Sequence, residues 1–122
     1  MLVAAERELG GLAGAVAAED DVVIAAVTAA ELLVGIELAD RRRRPRRARL
    51  LDALLETVPV EPYDLDVARA HGRLLAAVRK AGRPRGAHDL IIAATAAANE
   101  RVLVTVDEAG FADLPGVEMR AV

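Results

Sequence analysis

The sequence predicts an α/β fold built on a parallel sheet, and three observations predict it. Two short runs, Val22-Val23-Ile24-Ala25-Ala26 and Val102-Leu103-Val104-Thr105-Val106, are rich in β-branched residues and read as strands buried on both faces. They alternate with longer segments whose apolar residues recur at helical spacing. One of those segments, Leu90-Ile91-Ile92-Ala93-Ala94-Thr95-Ala96-Ala97-Ala98, is apolar almost all round, so it belongs at the centre of the molecule.

The remaining elements come in chain order. Leu2 to Ala17 carries apolar residues at helical spacing and reads as a helix, with Gly10-Gly11 in its middle. Glu19-Asp20-Asp21 reads as a turn before the first strand. Thr28-Ala29-Ala30-Glu31 has the capping-box pattern and opens a helix to about Ala39. A second helix covers Arg46 to Glu56. Thr57-Val58-Pro59-Val60 is a short strand placed near an edge, because Pro59 has no amide to give a ladder. Asp64 caps a helix that buries Val67, His71, Leu74 and Val78, with Arg79 and Lys80 at its negative end and Gly82 and Pro84 closing it. Asp89 heads the central helix, and Val117 to Val122 reads as a last strand. With no repeats or linkers, the 122 residues make one domain.

Composition narrows the chemistry. The chain has no cysteine and no serine, which excludes disulfides, thiolate metal sites and the serine and cysteine nucleophiles. Tyr63 and Phe111 are its two aromatics, too few to stack bases. Lys80, the single lysine, lies in a helical run and not in a glycine-rich loop, which argues against a P-loop. No apolar run approaches the length of a membrane span and no cleavable leader is present, so a cytoplasmic protein is expected. Net charge is −3, yet seven arginines fall between Arg41 and Arg49. Surface pairs of Glu37 with Arg41, and of Asp52 or Glu56 with Arg49, would make that run a solvated face. Contacts to an RNA backbone are the other reading.

Ligands of open α/β sheets bind beyond the carboxyl ends of the strands. Glu31, Asp89 and Asp107 all map to that edge. Three carboxylates held together favour a hard divalent cation, Mg²⁺ with Mn²⁺ as a substitute, since each otherwise raises the others' pKa. Each also has a local alternative: Glu31 completes a capping box, Asp89 caps a helix and Asp107 ends a strand in a turn. Arg83 and Arg85 are placed to hold substrate. His88 reads either as a proton shuttle or, as loop histidines more often are, as incidental, and Thr105 either orients a metal-bound water or, as strand threonines more often do, simply packs. His71 reads as structural.

The blocks Thr28-Ala29-Ala30-Glu31-Leu32-Leu33-Val34-Gly35, His88-Asp89-Leu90-Ile91-Ile92-Ala93-Ala94-Thr95-Ala96 and Val104-Thr105-Val106-Asp107 together resemble PIN-domain proteins, and among them the VapC toxins of bacterial toxin–antitoxin pairs. The resemblance implies a doubly wound parallel sheet flanked by helices. It implies an RNA endonuclease that hydrolyses phosphodiester bonds with a metal-activated water, with acids matching Glu31, Asp89 and Asp107. It further implies a homodimer and a VapB-like antitoxin as partner. The family's first strand, which ends in Asp and a small hydroxyl residue, is expected to be missing, because Leu2-Val3-Ala4-Ala5-Glu6-Arg7 reads as the helix that comes after it. Gly110 stands where the family often has another acid before the aromatic, here Phe111. A sheet without its middle strand would be split and poorly stable, so the functional protein is expected to begin upstream of Met1, with roughly ten further residues forming an apolar strand that ends in Asp. Two rivals remain: a non-catalytic relative that binds antitoxin, and a receiver-like signalling domain, for which Lys80 is badly placed.

Overall fold

Strands β1 (Leu2–Ala4), β2 (Ile24–Ala25), β3 (Val60–Glu61), β4 (Leu103–Thr105) and β5 (Met119–Ala121) are all parallel in the computed structural model, which describes residues 1–4 and 21–121. β1, β4 and β5 form one ladder and β2 and β3 another, and a parallel bridge between Leu2 and Val23 joins them. The order across the sheet is therefore β3-β2-β1-β4-β5. The helices are α1 (Ala26–Glu37), α2 (Arg44–Thr57), α3 (Leu65–Ala81), α4 (Ala87–Ala98) and the short α5 (Glu108–Phe111).

The strand that the sequence was expected to lack is present. Leu2–Ala4 is β1, in the middle of the sheet, and all three residues are buried. Its amides and carbonyls are taken up on both sides: Leu2 N–H donates to Val102 O at 2.8 Å, Val3 N–H to Val23 O at 2.9 Å, and Val23 N–H to Met1 O at 3.0 Å. Three apolar residues have no helical or strand period of their own, so tertiary pairing decides their conformation. The expected split sheet does not occur. The rest of the expected Leu2–Ala17 helix, and most of the Glu19–Asp21 turn, lie outside the described residues.

Side chains alternate across β1 as the pleat requires. Leu2 and Ala4 join Val67, Leu74, Leu90, Ile92, Leu103 and Phe111 on one face, where α3 and α4 pack. Val3 meets Ile24 and Val104 on the other, against Ala29 and Leu32 of α1 and Leu55 of α2. Helices on both faces make the sheet doubly wound.

Several ends are set as the sequence predicts. Asp64 accepts from Val67 N–H at 3.0 Å and starts α3, and Gly82, in the left-handed conformation, ends it. β3 lies at the edge. Residues 92–96 of α4 are buried, as its apolar circumference demands. His71 is not buried with Val67, Leu74 and Val78 as the sequence predicts; it is part-exposed, and Tyr63 OH lies 2.9 Å from its Nδ1. The capping box does not form. β2 runs straight into α1, whose N-cap is Ala25, so Thr28 falls inside the first turn with its hydroxyl buried and without a hydrogen-bond partner.

Candidate active site

Glu31 lies in the second turn of α1, Asp89 in the first turn of α4 and Asp107 at the N-cap of α5, and two cross-links join these elements. His88 Nδ1 is hydrogen-bonded to Glu31 Oε1, joining α4 to α1. Arg85, in the loop before α4, donates its guanidinium to Ala109 O at 2.9 Å and Ala112 O at 2.8 Å, joining that loop to α5. The guanidinium expected to hold substrate is thus committed to backbone carbonyls. Glu31 is one-fifth exposed and His88 is mostly exposed, so the pair opens to solvent on the imidazole side.

Asp89 is the third residue of α4, whose N-cap is Gly86, and it does not cap the helix as the sequence predicts. Its carboxylate folds back over Gly86, where a Cβ would stand 3.1 Å from Asp89 Oδ2. Asp107 is the N-cap of α5 and accepts from Gly110 N–H at 3.1 Å. The Asp107 amide in turn is bonded to Thr105 Oγ1 at 2.9 Å. Thr105 is buried, which agrees with the packed reading, and its hydroxyl shapes the turn out of β4. Gly110 is what allows this turn: a Cβ there would stand 2.6 Å from Asp107 Oδ2. The acid often found at that position in the family would collide with Asp107 as it is held here.

Two features of the site escape local sequence reasoning. The Glu31–His88 pair and the Arg85 clamp link residues 57, 24 and 27 positions apart, beyond any helical or strand spacing. A third long-range pairing lies before β2 and β4: Arg101 meets Asp21 at 2.8 Å and Glu61 at 3.0 Å. The Arg101 hydrogen bond holds the Asp21 carboxyl below its ordinary range, and Asp21 in turn raises Arg101.

The family model that matches this chain is described as "PIN domain" and matches residues 2–117. The chain belongs to the PIN-domain family. Within it, the chain is similar to VapC ribonuclease Y4jK of Sinorhizobium fredii, with 35% identity over 92 residues, covering 72% of this chain and 66% of that protein. The matched region therefore spans just under two thirds of the relative's length. A solved member of the VapBC family of toxin–antitoxin systems, VapBC-5 from Mycobacterium tuberculosis, is 28% identical with a TM-score of 0.77, over 99% of this chain and 97% of that one. VapBC2 from Rickettsia felis, solved with a DNA fragment from its promoter, has a TM-score of 0.81 at 21% identity, over 93% and 84%, a likeness of fold alone. The receiver-like alternative falls with the family assignment.

The family implies a divalent metal. Among the described residues, no three His, Asp or Glu side chains are grouped to hold one ion. The donor types, carboxylates with no thiolate, suit a hard cation such as Mg²⁺, which needs only one or two carboxylates beside waters and substrate phosphates.

Proposed function

We propose that this PIN domain is the VapC-type toxin of a toxin–antitoxin pair, an RNA endonuclease that cuts at the carboxyl edge of its sheet. The single observation that carries the reading is the match of residues 2–117 to the PIN domain; the Glu31–His88 bond and the Arg85 clamp tie together the elements that carry Glu31, Asp89 and Asp107. Those three carboxylates would hold Mg²⁺, or Mn²⁺ in its place, which when bound would polarise the scissile phosphate and lower the pKa of water. Glu31 orients the His88 ring through Nδ1, leaving Nε2 for proton exchange with a leaving group. Asp89 places negative charge at the positive end of α4, a favourable position for a carboxylate. Arg85 keeps α5, and with it Asp107, against the start of α4.

A VapB-like antitoxin is the proposed partner, consistent with the complexes formed by the structural neighbours. Leu33, Val34 and Leu38 on and just after α1, and Leu50 on α2, are large exposed apolar side chains suited to such a partner or to a second copy in a homodimer. No helix among the described residues is long and apolar enough to cross a membrane, and we place the protein in the cytoplasm.

A second reading, a non-catalytic relative that only binds antitoxin, is favoured by the lack of a three-acid group among the described residues and by the lack of a match to the family's first Asp. Mg²⁺ titration separates the two. The nuclease reading expects cleavage of labelled RNA that requires Mg²⁺, and a rise in melting temperature as Mg²⁺ is added, about 2.7 kcal/mol of stabilisation at a hundredfold excess over Kd. A folded protein with neither response overturns it.

A further inference from the structure

We propose that the arginine groove at the junction of α1 and α2 binds the phosphate backbone of an RNA strand, as a site separate from the acid edge. This rests on the RNA reading above. The groove, about 680 Å³, is lined by Asp40, Arg42, Arg43, Arg46, Arg47 and Leu50. Arg42, Arg43, Arg46 and Arg47 are all exposed.

The bland account of this run requires surface ion pairs, and the structure lacks them. Among the described residues, no carboxylate pairs with Arg41 or Arg49, and within the run Arg43 alone meets an acid, Asp40 at 3.9 Å. Arg44 is spent on structure, donating to Glu37 O at 3.1 Å and Ala39 O at 3.2 Å, which fixes the junction. The first turn of α2 carries no acid, so its cations also face the unfavourable end of the helix dipole. In a chain of net charge −3, this is a local concentration of uncompensated positive charge. An external anion is what relieves it.

The lining identifies the anion. Leu50 is its one apolar side chain among five charged ones, so charge rather than apolar burial sets what binds there. No aromatic ring lies there to stack a base, so recognition falls on the backbone and is independent of sequence. Guanidiniums on successive turns present forked donors to repeated phosphates, which suits a polyanion better than a single carboxylate.

The test measures binding of a fluorescein-labelled 20-nucleotide oligouridine RNA to the full chain by anisotropy, in EDTA, across a salt series. Four phosphate contacts give a log–log salt slope of about −2.8, or roughly 50-fold weaker binding at 200 mM than at 50 mM salt. Replacing all four residues with glutamine (Arg42→Gln, Arg43→Gln, Arg46→Gln, Arg47→Gln) should remove that slope, and the lysine counterparts should retain most of it. The pair Arg46→Gln and Arg47→Gln should remove about half, and circular dichroism checks that each variant folds. A wild type that binds RNA while the fourfold glutamine variant keeps its slope overturns the groove and leaves the nuclease reading untouched. A wild type that binds through the arginines but cleaves nothing when Mg²⁺ is supplied leaves the groove standing without the nuclease. Binding of a glutamate-rich peptide through these arginines, with no RNA binding, overturns the proposal in favour of a protein-docking site.

Discussion

Val3→Pro distinguishes the observed middle strand from the helix that the sequence suggested. Proline near the start of a helix is tolerated, because the amides there have no partner within the helix. In β1 the same change removes the Val3 amide, now 2.9 Å from Val23 O, and forces φ toward −65° where a parallel strand sits near −120°. Val23 O would lose its donor between β1 and β2, and an orphaned buried carbonyl costs about 1–3 kcal/mol. Disturbing the buried Val3 side chain, packed with Ile24 and Val104, adds to that. A loss of about 3 kcal/mol is a large part of a stability of about 6–18 kcal/mol for a chain this size. With a urea m value near 2 kcal/mol/M, the midpoint should fall by roughly 1.5 M in a denaturation followed by circular dichroism. A midpoint within about 0.3 M of wild type would refute the strand.

Gly110→Ala should push the Asp107 carboxylate off the Gly110 amide and cost about 1 kcal/mol, the worth of an N-cap, read as a fall of a few degrees in melting temperature. Arg85→Gln should leave Ala109 O and Ala112 O without their charged donor, lower stability by about 1–3 kcal/mol and detach α5 from the start of α4, which faster amide exchange at Ala112 would report. Asp21→Asn tests the Arg101 pairing through pH. Because the folded pKa of Asp21 is depressed, its contribution is present above the ordinary carboxylate pKa and lost as pH falls through the folded value. The wild type should therefore exceed the variant in stability at pH 7, with the gap closing as pH falls below the ordinary carboxylate range and shrinking in high salt.

The sequence made legible whatever is decided locally. β2 and β4 show as β-branched apolar runs because parallel strands are buried on both faces. α3 is bounded by Asp64 and Gly82 because cap chemistry is local. α4 is recognisable because an apolar circumference has no other place than the core. Leu2–Ala4 was illegible for the opposite reason: its conformation comes from pairing with Val23 and Leu103, which no window around Met1 contains. Thr28 to Glu31 matched a capping box, yet β2 enters α1 without a loop and places the N-cap three residues earlier, at Ala25. The three candidate acids were picked because each lies just past a strand or at the head of the central helix. Their surroundings could not be read, since Glu31–His88 and Arg85–Ala109 depend on how α1, α4 and α5 meet.

The central claim is that the acid edge cuts RNA, and Asp89→Asn tests it most directly. Asparagine keeps the size and shape of Asp89 and removes its charge near the positive end of α4. Cleavage of a labelled RNA by the purified chain in Mg²⁺ is measured for wild type and variant, with circular dichroism confirming equal folding. The account predicts that wild type cleaves and that the variant is slower by at least two orders of magnitude, about 2.7 kcal/mol of transition-state stabilisation. Equal cleavage by the two proteins, or none by a folded wild type, would contradict it.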